Sequence, residues 1–140
     1  MRFLIDTNVL SAGARPVPDQ RVATWLQAQP PLDLAISVLT LGEVERGIDL
    51  LPVGRRRAAL ESWMSKDLPI QFQERVLVVD EAVAKEWGRL SARTRSSGRQ
   101  LHVVDGLLLA TASVHGLTLV TRNESDCAAR GVPVLNPWRE

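Results

Sequence analysis

The sequence predicts an α/β fold, a central, mostly parallel sheet flanked by helices in three layers. Three observations predict it. Phe3, Leu4 and Ile5 form an apolar run that does not alternate with polar residues, the pattern of a strand buried on both faces, and Leu34–Ile36, Val76–Val79, Leu117–Thr121 and Val134–Leu135 also read as strands. Segments with helical spacing lie between these runs, and strand–helix alternation argues parallel pairing. The first run ends abruptly in Asp6, at the strand end where open α/β sheets hold their ligands.

The length of 140 residues suits one domain spanning residues 1–140 with a sizeable core. With 45% hydrophobic and 24% charged residues the composition is that of a globular protein, and a net charge of +1 selects no class of partner. Of the 17 cations 15 are Arg, a residue suited to phosphate, although codon bias gives the same excess. Cys127 stands alone, so no intramolecular disulfide forms and a reducing compartment fits. No signal pattern opens the chain and no apolar run nears the roughly 20 residues of a membrane span, so a cytoplasmic protein with no membrane partner is expected.

In order along the chain, Val9–Ala12 holds a short helix stopped by Gly13 and Pro16. Asp19 caps the next, with Val22, Trp25 and Leu26 at helical spacing before Pro30-Pro31. Ser37 or Thr40 starts a third, on which Leu41, Val44, Ile48 and Leu51 form an apolar stripe with Glu43 beside it. Gly54–Asp67 reads as a helix whose Arg55-Arg56-Arg57 run is a solvated face. Asp80 caps a long helix over Glu81–Ser96, ended by Gly98. Val103–His115 is apolar nearly all round and therefore central, with Asp105 in its first turn and Gly116 as its stop. A short helix to Arg130 and a stop at Gly131 precede the last strand.

Asp6, Glu43 and Asp105 thus share one kind of address, at or just beyond the carboxyl edge of the sheet, and Asn123 or Asp126 follows the Leu117–Thr121 strand. Asp6 is also a good helix cap, a role common enough to explain it alone. Clustered carboxylates repel one another unless a cation shares them. Oxygen donors without clustered His or Cys suit Mg²⁺ or Mn²⁺, and such ions activate water for phosphoester hydrolysis. Asn123 follows the strand by one residue and is expected nearer the metal. Asp126 is expected to cap the short helix instead, at a cost of roughly 0.5–2 kcal/mol if removed. His102 could reach substrate but reads as a surface or capping residue, and nothing near Cys127 suggests an activated nucleophile. Trp25, Trp63 and Trp87 fit inward helix faces, and the first two could border an apolar groove.

Four stretches, Leu4–Ser11, Leu41–Gly47, Val104–Ala112 and Leu119–Asp126, resemble in order the four motifs of the PIN-domain ribonucleases, in particular the VapC and FitB toxins of bacterial toxin–antitoxin pairs. The resemblance runs from Met1 to about Leu135. It implies a Mg²⁺-dependent endoribonuclease with Mn²⁺ as a possible substitute, its catalytic, metal-holding acids at Asp6, Glu43 and Asp105, the fourth role falling to Asn123 or Asp126. It also implies that Asn8 orients Asp6, that Thr121 hydrogen-bonds within the site, that RNA is the substrate, and that the toxin is a homodimer held inactive by a cognate antitoxin. A groove around Trp25, Leu26, Val44 and Ile48 would receive an amphipathic antitoxin helix. Gly106 stands where such proteins usually have Ala, a change expected to be tolerated at up to about 1 kcal/mol in helix propensity. Two other readings compete. One is a PIN scaffold that binds RNA or a partner without cutting, against which the intact acids argue. The other is a doubly wound phosphotransfer domain, which lacks its second Asp, since position 8 is Asn8, and its strand-end Lys, since only Lys66 and Lys85 occur.

Overall fold

The apolar runs become strands β1 (Phe3–Ile5), β2 (Leu34–Ser37), β3 (Val76–Leu77), β4 (Thr118–Val120) and β5 (Val134–Leu135) in the computed structural model, which describes residues 1–140. All pairings are parallel, in the order β3-β2-β1-β4-β5. Leu4 sits opposite Ala35 on one side and Leu119 on the other. Strand order therefore reverses at β1, whose successor β2 lies on one flank and whose late partner β4 lies on the other. A sheet of this kind opens its ligand crevice at that reversal.

Side chains of a strand alternate between faces, and the two halves of the core follow. Phe3 and Ile5 enter a cluster with Val9, Val22, Ile48 and Phe72. Leu4 enters the opposite one with Val83, Leu90, Leu108 and Leu109. Helices α1 (Thr7–Gly13), α2 (Gln20–Ala28), α3 (Val38–Asp49), α4 (Arg55–Ser62) and α5 (Leu68–Gln71) supply the first face, and α6 (Glu81–Ser96) with α7 (Val103–His115) the second. Several caps match the sequence reading. Asp19 accepts from Arg21 N at 2.9 Å, Ser37 from Leu39 N at 3.0 Å and Asp80 from Val83 N at 3.0 Å. Gly116 closes α7 in the left-handed region at φ +67. Trp25 packs edge-on against Phe3, with ring centroids 5.0 Å apart.

Four differences have local causes. The third strand stops at Leu77 rather than Val79, because Ser37, its last partner residue, turns away to cap α3 and leaves Val78 exposed. The helix expected over Gly54–Asp67 is α4 followed by a π-helical turn at Trp63–Asp67, and the path runs on through α5. Pro69 lacks an N–H and its ring would meet the carbonyl of Ser65 in a regular α-helix, a conflict the wider turn relieves. The last short helix, α8, covers Glu124–Cys127 and ends before Arg130. Beyond Leu135 the chain adds a 3₁₀ turn at Pro137–Arg139, capped by Asn136, that buries Trp138.

Candidate active site

Asp6 follows β1 directly and is 6% exposed. Its Oδ1 accepts from Thr7 N at 2.7 Å, so it caps α1. Its Oδ2 accepts from the Thr121 hydroxyl at 2.6 Å and faces Asn8 Nδ2 at 3.4 Å. Capping and site membership coexist because the two carboxylate oxygens divide them. Asn8 is held in turn, its Oδ1 accepting from Arg122 N at 3.2 Å. Thr121 is fully buried, and its oxygen accepts from Asn123 N at 3.0 Å. Asn123 then donates Nδ2 to Asp105 Oδ2 at 2.9 Å. On the other flank the Thr7 hydroxyl donates to Glu43 Oε1 at 2.6 Å and lies 3.3 Å from the hydroxyl of buried Thr40. The ends of β1 and β4 and the first turns of α1, α3 and α7 are thereby tied into one hydrogen-bonded set.

These residues line a single open pocket of about 420 Å³, with His102 and Val104 on its edge. Asp6, Glu43, Asp105 and Asn123 are brought together there, with Asn8; Thr121 supports the floor from behind. None of the three acids has a Lys or Arg within ion-pairing distance. Burial pushes the Asp6 carboxyl up from its ordinary value, the hydrogen bonds from Thr121 and Thr7 pull it partly back, and the charges of Asp105 and Glu43 push it up again. Burial likewise raises Asp105; Asn123 and His102 oppose the rise, and Asp126 and Glu43 add to it.

The donor set fits a hard divalent cation, being all oxygen, anionic and without a counter-charge. No three His, Cys, Asp or Glu side chains close on one point as a ligand group. Glu43 is exposed and accepts from Thr7, which holds its side chain on the α1 side of the pocket.

Several expected roles shift. Asp126 does not cap the short helix. It lies inside α8, exposed, and it is Asn123 that occupies the cap position, with no side-chain cap bond. Asp126 is not among the pocket residues and reaches the site through its charge on Asp105. His102 stands at the cap position of α7 without capping it through its side chain. Thr7 is the site residue that sequence reasoning missed; its one signal is its place directly after Asp6. Cys127 is fully buried and its thiol is pushed up to about 12, chiefly by burial, which removes it as a nucleophile.

The apolar groove also differs from expectation. Val44 and Ile48 are buried in the core, at 7% and 3% exposure, and offer no surface. Leu26 does line a cavity of about 460 Å³, together with Leu10, Trp63 and Phe72. Trp25 instead packs on Phe3.

The PIN domain family model matches residues 3–130. The chain is 34% identical over 138 residues to "Toxin FitB" of Neisseria gonorrhoeae, covering 99% of each protein. It is 32% identical over 136 residues to "VapC ribonuclease Y4jK" of Sinorhizobium fredii, covering 97% of each. Its backbone resembles that in the crystal structure of FitAcB from Neisseria gonorrhoeae, with a TM-score of 0.93 at 33% identity over 99% of both chains.

Proposed function

The chain belongs to the PIN domain family, and on that premise we propose that it is the endoribonuclease toxin of a toxin–antitoxin pair. The observation that carries the reading is the convergence of Asp6, Asp105 and Glu43 on one pocket with no Lys or Arg among them. Relatives named as a ribonuclease and as a toxin support it. Asp6, Asp105 and Glu43 would hold the metal, with Asn123 as the fourth, neutral member and Asp126 contributing charge from outside. Held there, Mg²⁺, or Mn²⁺ in its place, would supply activation of water and charge neutralisation at the phosphodiester.

The protein's part is orientation. Thr121 and Asn8 hold Oδ2 of Asp6, and Thr7 N holds Oδ1, so the carboxylate is fixed in one orientation without a rotamer search. Asn123 performs the same service for Asp105. Burial of Asp6 limits water's screening of its charge, which would strengthen its hold on any cation that enters. His102 lines the same pocket and is exposed, so it would be available to contact the RNA.

Under the same reading the protein works in the cytoplasm as a homodimer, and no helix is long and apolar enough to cross a membrane. Its antitoxin would seat apolar side chains in the cavity lined by Leu26, Trp63 and Phe72. The test is cleavage of single-stranded RNA by the purified protein with Mg²⁺. Excess EDTA, Asp6→Asn and Asp105→Asn should each abolish it. Undiminished cleavage in EDTA refutes the metal-dependent mechanism, and no cleavage by the wild type with either metal refutes the enzyme.

A further inference from the structure

An acid pocket repels the polyanion it is meant to cut, so attraction must come from outside it. Four arginines gather around the end of α6 and the loop that follows it, and none forms an ion pair. Arg93 and Arg95 lie in the last turn of α6, Arg99 in the loop that leads to α7, and Arg130 beyond α8. None has a carboxylate within 4.0 Å, whereas Arg57, Arg89 and Arg139 all do. Arg130 is 8% exposed, and its three nitrogens donate to neutral acceptors: Asp126 O at 2.6 Å, Thr94 Oγ1 at 2.7 Å and Gln100 O at 3.3 Å. Arg99 is fixed in the same way, by Ser125 O at 3.0 Å and Ala128 O at 3.3 Å. Carbonyls and the Thr94 hydroxyl hold these groups in place but leave their charge whole.

Arg93, Arg99 and Arg130 line one hollow of about 400 Å³, and no acidic residue lines it. A second hollow of about 320 Å³ shares Arg99 and Thr94 and adds Arg95, again without an acid. The carboxyl end of α6 faces this region, but a helix end carries only about half a negative charge, against three full positive ones. The balance calls for an anion. Paired guanidinium N–H groups match phosphate oxygens in geometry as well as charge. Arg99 precedes His102 by three residues, which span at most about 11 Å. A strand lying in the acid pocket therefore has a neighbouring phosphate within reach of the hollow.

We infer that the hollow bounded by Arg93, Arg99 and Arg130 is a phosphate subsite that grips the RNA backbone beside the acid pocket. The inference rests on the ribonuclease reading above. Binding of a short, fluorescently labelled single-stranded RNA to the full chain tests it, followed by anisotropy in EDTA from about 50 to 200 mM salt. Arg93→Gln and Arg99→Gln are suitable variants because both side chains are exposed, and thermal unfolding confirms that each is folded. Arg21→Gln, far along the chain and paired with Asp19, is the control. Each test variant should flatten the slope of log K against log salt by about 0.7, and the double variant by about twice that. With Mg²⁺, KM should rise while kcat at saturating RNA stays unchanged. Slopes unchanged, or flattened no more than in Arg21→Gln, overturn the subsite while a wild type that still cleaves RNA keeps the ribonuclease reading. A wild type that neither binds nor cleaves RNA overturns both.

Discussion

The Thr121 hydroxyl donates to Asp6 Oδ2 across 2.6 Å, joining two strand ends that lie 115 residues apart in sequence. The same oxygen accepts from Asn123 N, so one buried hydroxyl sets the position of two pocket residues. Thr121→Val keeps the shape and removes both bonds. It should cost about 1–3 kcal/mol, the usual penalty for buried groups left unpaired, and lower the cleavage rate at least about tenfold. Thr121→Ser should restore most of each. Wild-type rates in the Val variant would show that Asp6 needs no such support.

Asn123 and Asp126 divide differently from the sequence expectation. Asn123→Ala frees Asp105 and should weaken metal affinity and cleavage with little change in denaturant midpoint. Asp126→Ala should change stability by no more than about 0.5 kcal/mol, because the side chain is exposed and caps nothing. A loss of stability in the cap range for Asp126→Ala would contradict the observed geometry.

Gly106 has a role that helix propensity does not reveal. A Cβ there would lie 2.9 Å from Trp87 Cδ1 and 3.3 Å from Leu101 Cδ2. The propensity cost expected for Gly at this position is therefore set against the close packing that its missing Cβ allows. Gly106→Ala gains about 1 kcal/mol of propensity but suffers overpacking of about 1–3 kcal/mol, and should be destabilising on balance. Trp87→Leu should relieve the clash, and a double-mutant cycle in denaturant measures the coupling. Additive effects would refute it.

The pH dependence of stability follows from Asp105. Its folded-state pKa is raised, so the folded state favours the protonated form. The stability this confers is fully present below the unfolded pKa, about 3.9, and is lost as pH rises through the folded value. Asp105→Asn should therefore raise Tm at neutral pH, and the gap should close on acidification. Mg²⁺ should raise the wild-type Tm more than that of the variant. A variant less stable at neutral pH, with a gap insensitive to acid, would contradict this.

Cys127 should resist thiol reagents at pH 8 in the native protein, since it is fully buried and burial pushes its thiol up to about 12. Reaction should appear only with denaturant. Stoichiometric labelling of the native protein would overturn the assignment.

The central strands β1, β2 and β4 were legible because they are buried on both faces along most of their length, and Asp19, Ser37, Asp80 and Gly116 each mark a boundary by local chemistry alone. What stayed hidden depends on distant partners. Val78 and Val79 look like strand residues, but their pairing ends where Ser37 turns aside. The stripe of Val44 and Ile48 is apolar whether it faces a core or a partner, and spacing cannot separate the two. The π turn before Pro69 and the tight approach of Trp87 to Gly106 are facts of three dimensions. Asp6 could be named from its strand-end address, and Glu43 and Asp105 from their places early in α3 and α7, but the Thr7 contact to Glu43 and the arginine hollow could not.

The pairing of β1 with β4 also fixes when activity can arise during synthesis. Asp6 leaves the ribosome early, yet its partner hydroxyl on Thr121 and the Asn123 that steadies Asp105 come more than a hundred residues later. At about 5–20 residues per second that interval is roughly 6–25 s. Throughout it the nascent chain has its first acid but no crevice, because the central strand lacks a neighbour on one side. A translating ribosome is thus not exposed to an assembled pocket until the chain has grown past β4.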